Sequence, residues 1–209
     1  MENRELKDLI VSALVISLAF GIALSGGIFG LFQAPVKIIP GFILALLTVS
    51  ISFIIHELAH RGIARFFGLY AEYRKWDRGL KLALFFSLIG FVFAAPGAVY
   101  IHAKADLWGR TKEVGRKVNG LISSAGPIVN VVLAIIFVLL GFLFPFLNSI
   151  VLFGFPLSLI SYGVSINSWL ALFNTIPFGP LDGGKILRWR KDVWIGILVS
   201  SIALMFISF

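Results

Sequence analysis

Cysteine is absent from the 209 residues, which excludes disulfides and thiolate ligands and leaves His, Asp and Glu as the side chains able to hold a metal ion. Charge is scarce as well. Charged residues make up 13% of the chain against 59% hydrophobic, and the mean hydropathy is +0.99. A soluble domain of this size would lack the polar surface to cover itself. Acids are the rarer sign, 10 Asp and Glu against 18 Lys and Arg, for a net charge of +8. The basic residues sit in short stretches between apolar runs, without interleaved aromatics, so they report membrane orientation and not nucleic acid. Linkers, low-complexity segments and internal repeats are missing too, and a single membrane-embedded domain over residues 1–209 is expected. The opening Met-Glu-Asn-Arg-Glu-Leu-Lys-Asp is mixed in charge and leads into an apolar run with no small-residue cleavage pattern. That fits a retained first span better than a signal peptide.

Apolar runs near the roughly 20 residues needed to cross a bilayer extend over Leu9–Phe32, Ile38–Phe67, Leu82–Ile101, Val118–Leu147, Val151–Ile176 and Val193–Phe209. The basic residues cluster in Arg61–Lys81, Lys104–Lys117 and Lys185–Lys191, with Arg4 and Lys7 at the start and Lys37 apart. If Leu82–Ile101 crossed fully, the first two clusters would lie on opposite sides and the positive-inside rule would fail. If it returns to the side it came from, all three clusters and the N-terminus are cytoplasmic and only Lys37 faces out. Gly90, Pro96 and Gly97 suit such a bent segment. The expected fold is an all-α polytopic membrane protein of about five transmembrane helices plus a re-entrant hairpin or loop over 82–101, with a sixth full crossing as the alternative.

What the chain does contain is His56-Glu57-Leu58-Ala59-His60, set in otherwise apolar sequence. On a helix, positions i and i+4 share a face, so two imidazoles can converge on one metal ion with Glu57 beside the open coordination position. Ionisable residues at membrane depth are costly and usually functional. For the third ligand, Ile63 and Phe66 stand where a metzincin would carry Gly and His, excluding that class. Glu72 and Glu113 lie in basic stretches that suit solvated pairs, Asp77, Asp106 and Asp192 are loop or span-end residues, and His102 follows an apolar run at its polar end. Asp182 is the leading candidate, set in Asn-Thr-Ile-Pro-Phe-Gly-Pro-Leu-Asp-Gly-Gly from Asn174 to Gly184. There the prolines break a helix and the glycines permit tight turns. His60 and Asp182 share a depth only if their helices run the same way, which again asks the 82–101 segment to return.

From about Ile38 to Arg188 the chain resembles the site-2 protease family of intramembrane zinc metalloproteases. The resemblance is carried by the His56–His60 motif, by Ser-Ala-Gly-Pro-Ile-Val-Asn ending at Asn130, and by the Asn174–Gly184 segment. It implies one Zn²⁺ per chain on His56, His60 and Asp182, with Glu57 as general base. Asn130 would help hold substrate or stabilise the oxyanion. Pro96, Gly97, Ala98 and Val99 would form the embedded loop that aligns substrate as an added strand, and Asn174 would also contact it. The implied partners are a transmembrane protein substrate and the lipid bilayer, with no nucleic acid. The implied setting is a multi-pass protein of a prokaryotic cell membrane, its site nearer the cytoplasmic face. PDZ and CBS modules found in many relatives have no counterpart here. A zinc-binding membrane transporter or sensor without proteolytic activity is the alternative from another class, and a zinc enzyme acting on lipid also remains open.

Overall fold

In a computed structural model, residues 3–102 and 114–207 are described. Helix α1 (Asn3–Leu24) ends where Gly26 and Gly27 take φ of 100° and 60°, a left-handed backbone that glycine adopts without strain. The remainder of the first apolar run is therefore a separate short helix, α2 (Gly27–Gln33). A 3₁₀ turn at Pro35–Lys37 leads into α3 (Ile38–Phe66), followed by strand β1 (Tyr70–Lys75), helix α4 (Asp77–Ser87) and strand β2 (Gly97–His102). After the undescribed stretch come α5 (Arg116–Leu143), a small hairpin of β3 (Ile150–Leu152) and β4 (Phe155–Leu157), then α6 (Leu159–Thr175), α7 (Gly183–Trp189) and α8 (Lys191–Ile207).

Among the described residues, three helices are long and apolar enough to cross a membrane: Asn3–Leu24, Pro35–Phe66 (α3 with its preceding turn) and Arg116–Leu143. This is a membrane protein. The expected count of about five includes α6 and α8, at 17 residues each, about 25 Å of helix. The run expected from Val151 gives up its first residues to the β3–β4 hairpin, whose turn places Phe153 at φ 52° and Gly154 at φ 80°. Ser158 then caps α6 by accepting from the Ser161 amide at 3.0 Å.

The all-α expectation is corrected by the sheets. In β1–β2 the strands pair antiparallel from Tyr70 opposite His102 to Lys75 opposite Gly97. Residues 82–101 are accordingly the end of α4, an extended stretch and a strand, and not one helix. Helix α4 has 11 residues, about 16 Å, too short to span a hydrocarbon core of roughly 30 Å. Because Tyr70 and His102 face each other, the segment between them begins and ends at the same place. Helix propensity loses here because β1 alternates its burial and β2 carries Val99 and Ile101, which suit a pleated surface.

Helix α1 packs on α3, α3 on α5, α5 on α6 and α6 on α8. Apolar helices gain little from hiding from lipid, so they associate through close packing. The buried stripe of α3 runs Gly41, Ala45, Thr48, Ser52, His56, His60, Ala64, and its small members at helical spacing bring α1 and α5 near. Hydroxyls in this interior satisfy themselves on carbonyls four residues back, Thr48 on Leu44 at 2.9 Å and Ser52 on Thr48 at 2.6 Å.

Candidate metal centre

His56 and His60 lie one turn apart on the buried face of α3, their rings edge-to-face with centroids 4.6 Å apart. Their Nε2 atoms approach to 3.0 Å. From across the fold Asp182 Oδ2 comes to 3.0 Å from His60 Nε2 and 3.8 Å from His56 Nε2. Asp182 reaches that point through its loop. Ile176 precedes Pro177 and is extended (ψ 125°), ending α6. Gly183 then packs against the end of the same helix, where a Cβ would come within 2.7 Å of the Ile176 carbonyl oxygen. Among the described residues, His56, His60 and Asp182 are the cluster whose ligand atoms all fall within 4.8 Å of one another.

The far sides of both rings are fixed. His56 Nδ1 is 2.5 Å from Asn130 Oδ1 and His60 Nδ1 is 2.7 Å from the Ile122 carbonyl oxygen. Both partners are acceptors, so each ring in its neutral form carries its proton on Nδ1 and turns a lone pair on Nε2 toward the other ring and the carboxylate. Two lone pairs and an anionic oxygen at such distances repel unless a cation lies among them. Gly126 shows the same need for space: a Cβ there would stand 2.5 Å from His56 Nε2 and as close to His60 Nε2. Two imidazoles and a carboxylate are a donor set suited to zinc with one position open. The residues fit a zinc ion.

Glu57 is 7% exposed and its Oε2 has no hydrogen-bond partner. It lines a cleft of about 220 Å³ together with His56, His60, Asp182 and residues 94–101 of the extended stretch and β2. Pro96, Gly97, Ala98, Val99 and Asn174, all named from the sequence, border this cleft. Asn130 does not. It is fully buried beneath His56, with Nδ2 donating to Asn167 Oδ1 at 3.0 Å and to the Ser52 carbonyl at 3.3 Å.

The other described acids weighed from the sequence are paired outside this cluster. Glu72 pairs with Arg74, Asp77 with Lys75 and Asp192 with Arg190, while His102 ends β2. Asp106 and Glu113 lie outside the described residues. Three residues were missed in the sequence. Gly126 offered only its place in Ala-Gly-Pro, and Asn167 only its polarity within an apolar run. Lys185, whose Nζ is 3.5 Å from Asp182 Oδ1, looked like part of a basic cluster.

Across 193 residues the chain is 36% identical to a protein of Methanocaldococcus jannaschii provisionally named a zinc metalloprotease, covering 92% of this chain and 87% of that one. A Bacillus subtilis protein with the same provisional name is 31% identical over 164 residues, 74% of this chain and 70% of the relative. No family model matches the chain, and no solved structure does.

Proposed function

Because the chain belongs to the zinc metalloprotease family of these two relatives, we propose that it is an intramembrane protease of the site-2 type, hydrolysing peptide bonds within or near transmembrane segments of other membrane proteins. One observation carries the reading: the His56, His60 and Asp182 group and Glu57, whose Oε2 has no hydrogen-bond partner, border one cleft that strand β2 also lines. A zinc ion held by His56, His60 and Asp182 would supply Lewis acidity, acidifying a water and drawing charge from a peptide carbonyl. Glu57 takes the proton of the attacking water and returns it to the leaving nitrogen. Lys185 engages Oδ1 of Asp182, while Oδ2 is the oxygen turned toward the two imidazoles.

A transmembrane helix hides its carbonyls in internal hydrogen bonds, so a substrate has to unwind before it can be cut. The β1–β2 sheet offers only one edge for the unwound stretch. On β1, the amides of Tyr73 and Lys75 are already taken by the carboxylates of Glu5 (3.2 Å) and Asp8 (3.5 Å) from α1. The edge of β2 lies along the cleft, and a substrate adds there as a third strand past Pro96, Gly97, Ala98 and Val99, with Asn174 beside it.

Helices α1, α3, α5, α6 and α8 cross the bilayer, and α4 with the sheet enters and leaves on the cytoplasmic side. In this arrangement the metal group lies nearer that face. A transporter or sensor would leave Glu57 and the strand edge without a task. The test is cleavage of a transmembrane substrate co-reconstituted in liposomes. Glu57→Gln should keep zinc at one per chain and lose cleavage, by at least the ~10²–10⁴-fold that general-base catalysis supplies. Undiminished cleavage by that variant would sink the proposal.

A further inference from the structure

The contacts behind His56 continue across three helices and have a direction. They start at the Gly163 carbonyl of α6, which can only accept. Asn167 Nδ2 donates to it at 2.8 Å, so Asn167 must turn its oxygen the other way. That oxygen accepts from Asn130 Nδ2 at 3.0 Å, and the same amide nitrogen also donates to the Ser52 carbonyl of α3 at 3.3 Å. Asn130 is left with its oxygen facing His56, 2.5 Å from Nδ1. An imidazole that must donate from Nδ1 presents its lone pair on Nε2, toward His60 and Asp182. Two backbone carbonyls therefore set which nitrogen of His56 is free to bind a metal, through two side-chain amides in series.

Every member of this chain is sealed. Asn130 and Asn167 are both 0% exposed, and both hydrogens of the Asn130 amide are spent on Asn167 and Ser52. Flipping either amide would set two oxygens against each other in a sealed interior, where such a contact is unfavourable. Asn130 therefore has no donor left to offer a developing oxyanion.

We propose that Asn167, acting through Asn130, is a positioning residue that fixes the tautomer and ring orientation of His56. Asn130 then serves the metal ligand and not the substrate. This rests on the zinc site, and its test reads metal affinity, so it can fail while the protease reading stands and hold while that reading falls.

Asn130→Leu, Asn167→Leu and the double variant keep side-chain bulk near that of Asn. Each is purified in detergent, and its zinc dissociation constant is measured by competition with a chelator, alongside the visible spectrum of the Co²⁺-loaded protein. Either single change is expected to weaken zinc by roughly 10–100-fold, as loss of such outer contacts does, and to alter the cobalt spectrum while helicity is kept. Since Asn167 acts only through Asn130, the second change adds no further loss in the double variant. Native zinc affinity in a folded Asn167→Leu protein overturns the proposal, and so do losses that multiply. Should the leucine variant not fold, Asn167→Ser is too short to reach Asn130 and carries the same expectation.

Discussion

At the scale of single residues, the metal site is a matter of which atoms are allowed near three ligands. His56, Glu57 and His60 were legible because one helical turn separates the imidazoles and the flanking residues are apolar. Asp182 was legible because few acids lie away from the basic stretches. Gly126 was not, because its importance is a distance between two helices and no spacing along the chain encodes that. Gly126→Ala is expected to abolish zinc binding while leaving the helices assembled. The added methyl would occupy the space facing both Nε2 atoms, and its neighbours are ring atoms anchored at Nδ1 with no room to retreat. Zinc content by atomic absorption, with circular dichroism on the same sample, checks this, and a full complement of zinc in the alanine variant contradicts it. Asn167 stood out in the sequence only as an amide in an apolar helix, a signal that says a partner exists without saying which.

At the scale of elements, the charges ask residues 82–101 to return, and the β1–β2 pairing gives that stretch a form the sequence does not show. The strands are separated by α4 and an extended stretch, so no tight turn announces them, and the alternation in Tyr70–Lys75 is masked by its own charged residues. What holds this sheet is α1. Glu5 is 2% exposed, pairs with Arg61 at 3.2 Å and accepts the Tyr73 amide. The Tyr73 hydroxyl in turn donates to Ser12 at 2.9 Å. Glu5→Ala would strand the Arg61 guanidinium in the interior, a change that costs about 3–5 kcal/mol for a buried pair. A markedly lower thermal midpoint in detergent is expected. Glu5→Gln, which still accepts from Tyr73, should lose less. Equal midpoints for native and alanine proteins would show that the pair does not hold the sheet. The first apolar run also reads as one span by hydropathy, and only the left-handed conformation of Gly26 and Gly27 divides it.

At the scale of the whole molecule, the basic residues and the sheet make one claim about sidedness. If α1, α3, α5, α6 and α8 cross and residues 82–101 return, as proposed, cysteines placed singly at Arg65, Arg116 and Lys191, all exposed, should label from the same side, and one at Lys37 from the other. The absence of native cysteine makes the measurement clean. Labelling of Arg116→Cys together with Lys37→Cys would mean that residues 82–101 cross.

The grip of α1 on β1 also bears on how the chain comes to be built. Glu5 and Asp8 are made before their partners: the amide that Glu5 accepts from belongs to Tyr73, 68 residues later, and Arg61 also follows well behind. Until those arrive, two carboxylates at the head of an apolar helix have no counterpart inside the protein and belong at the water boundary. Helix α1 therefore cannot settle until the sheet exists. Its final docking is a late step of biogenesis, governed by a contact distant in sequence and slow for that reason.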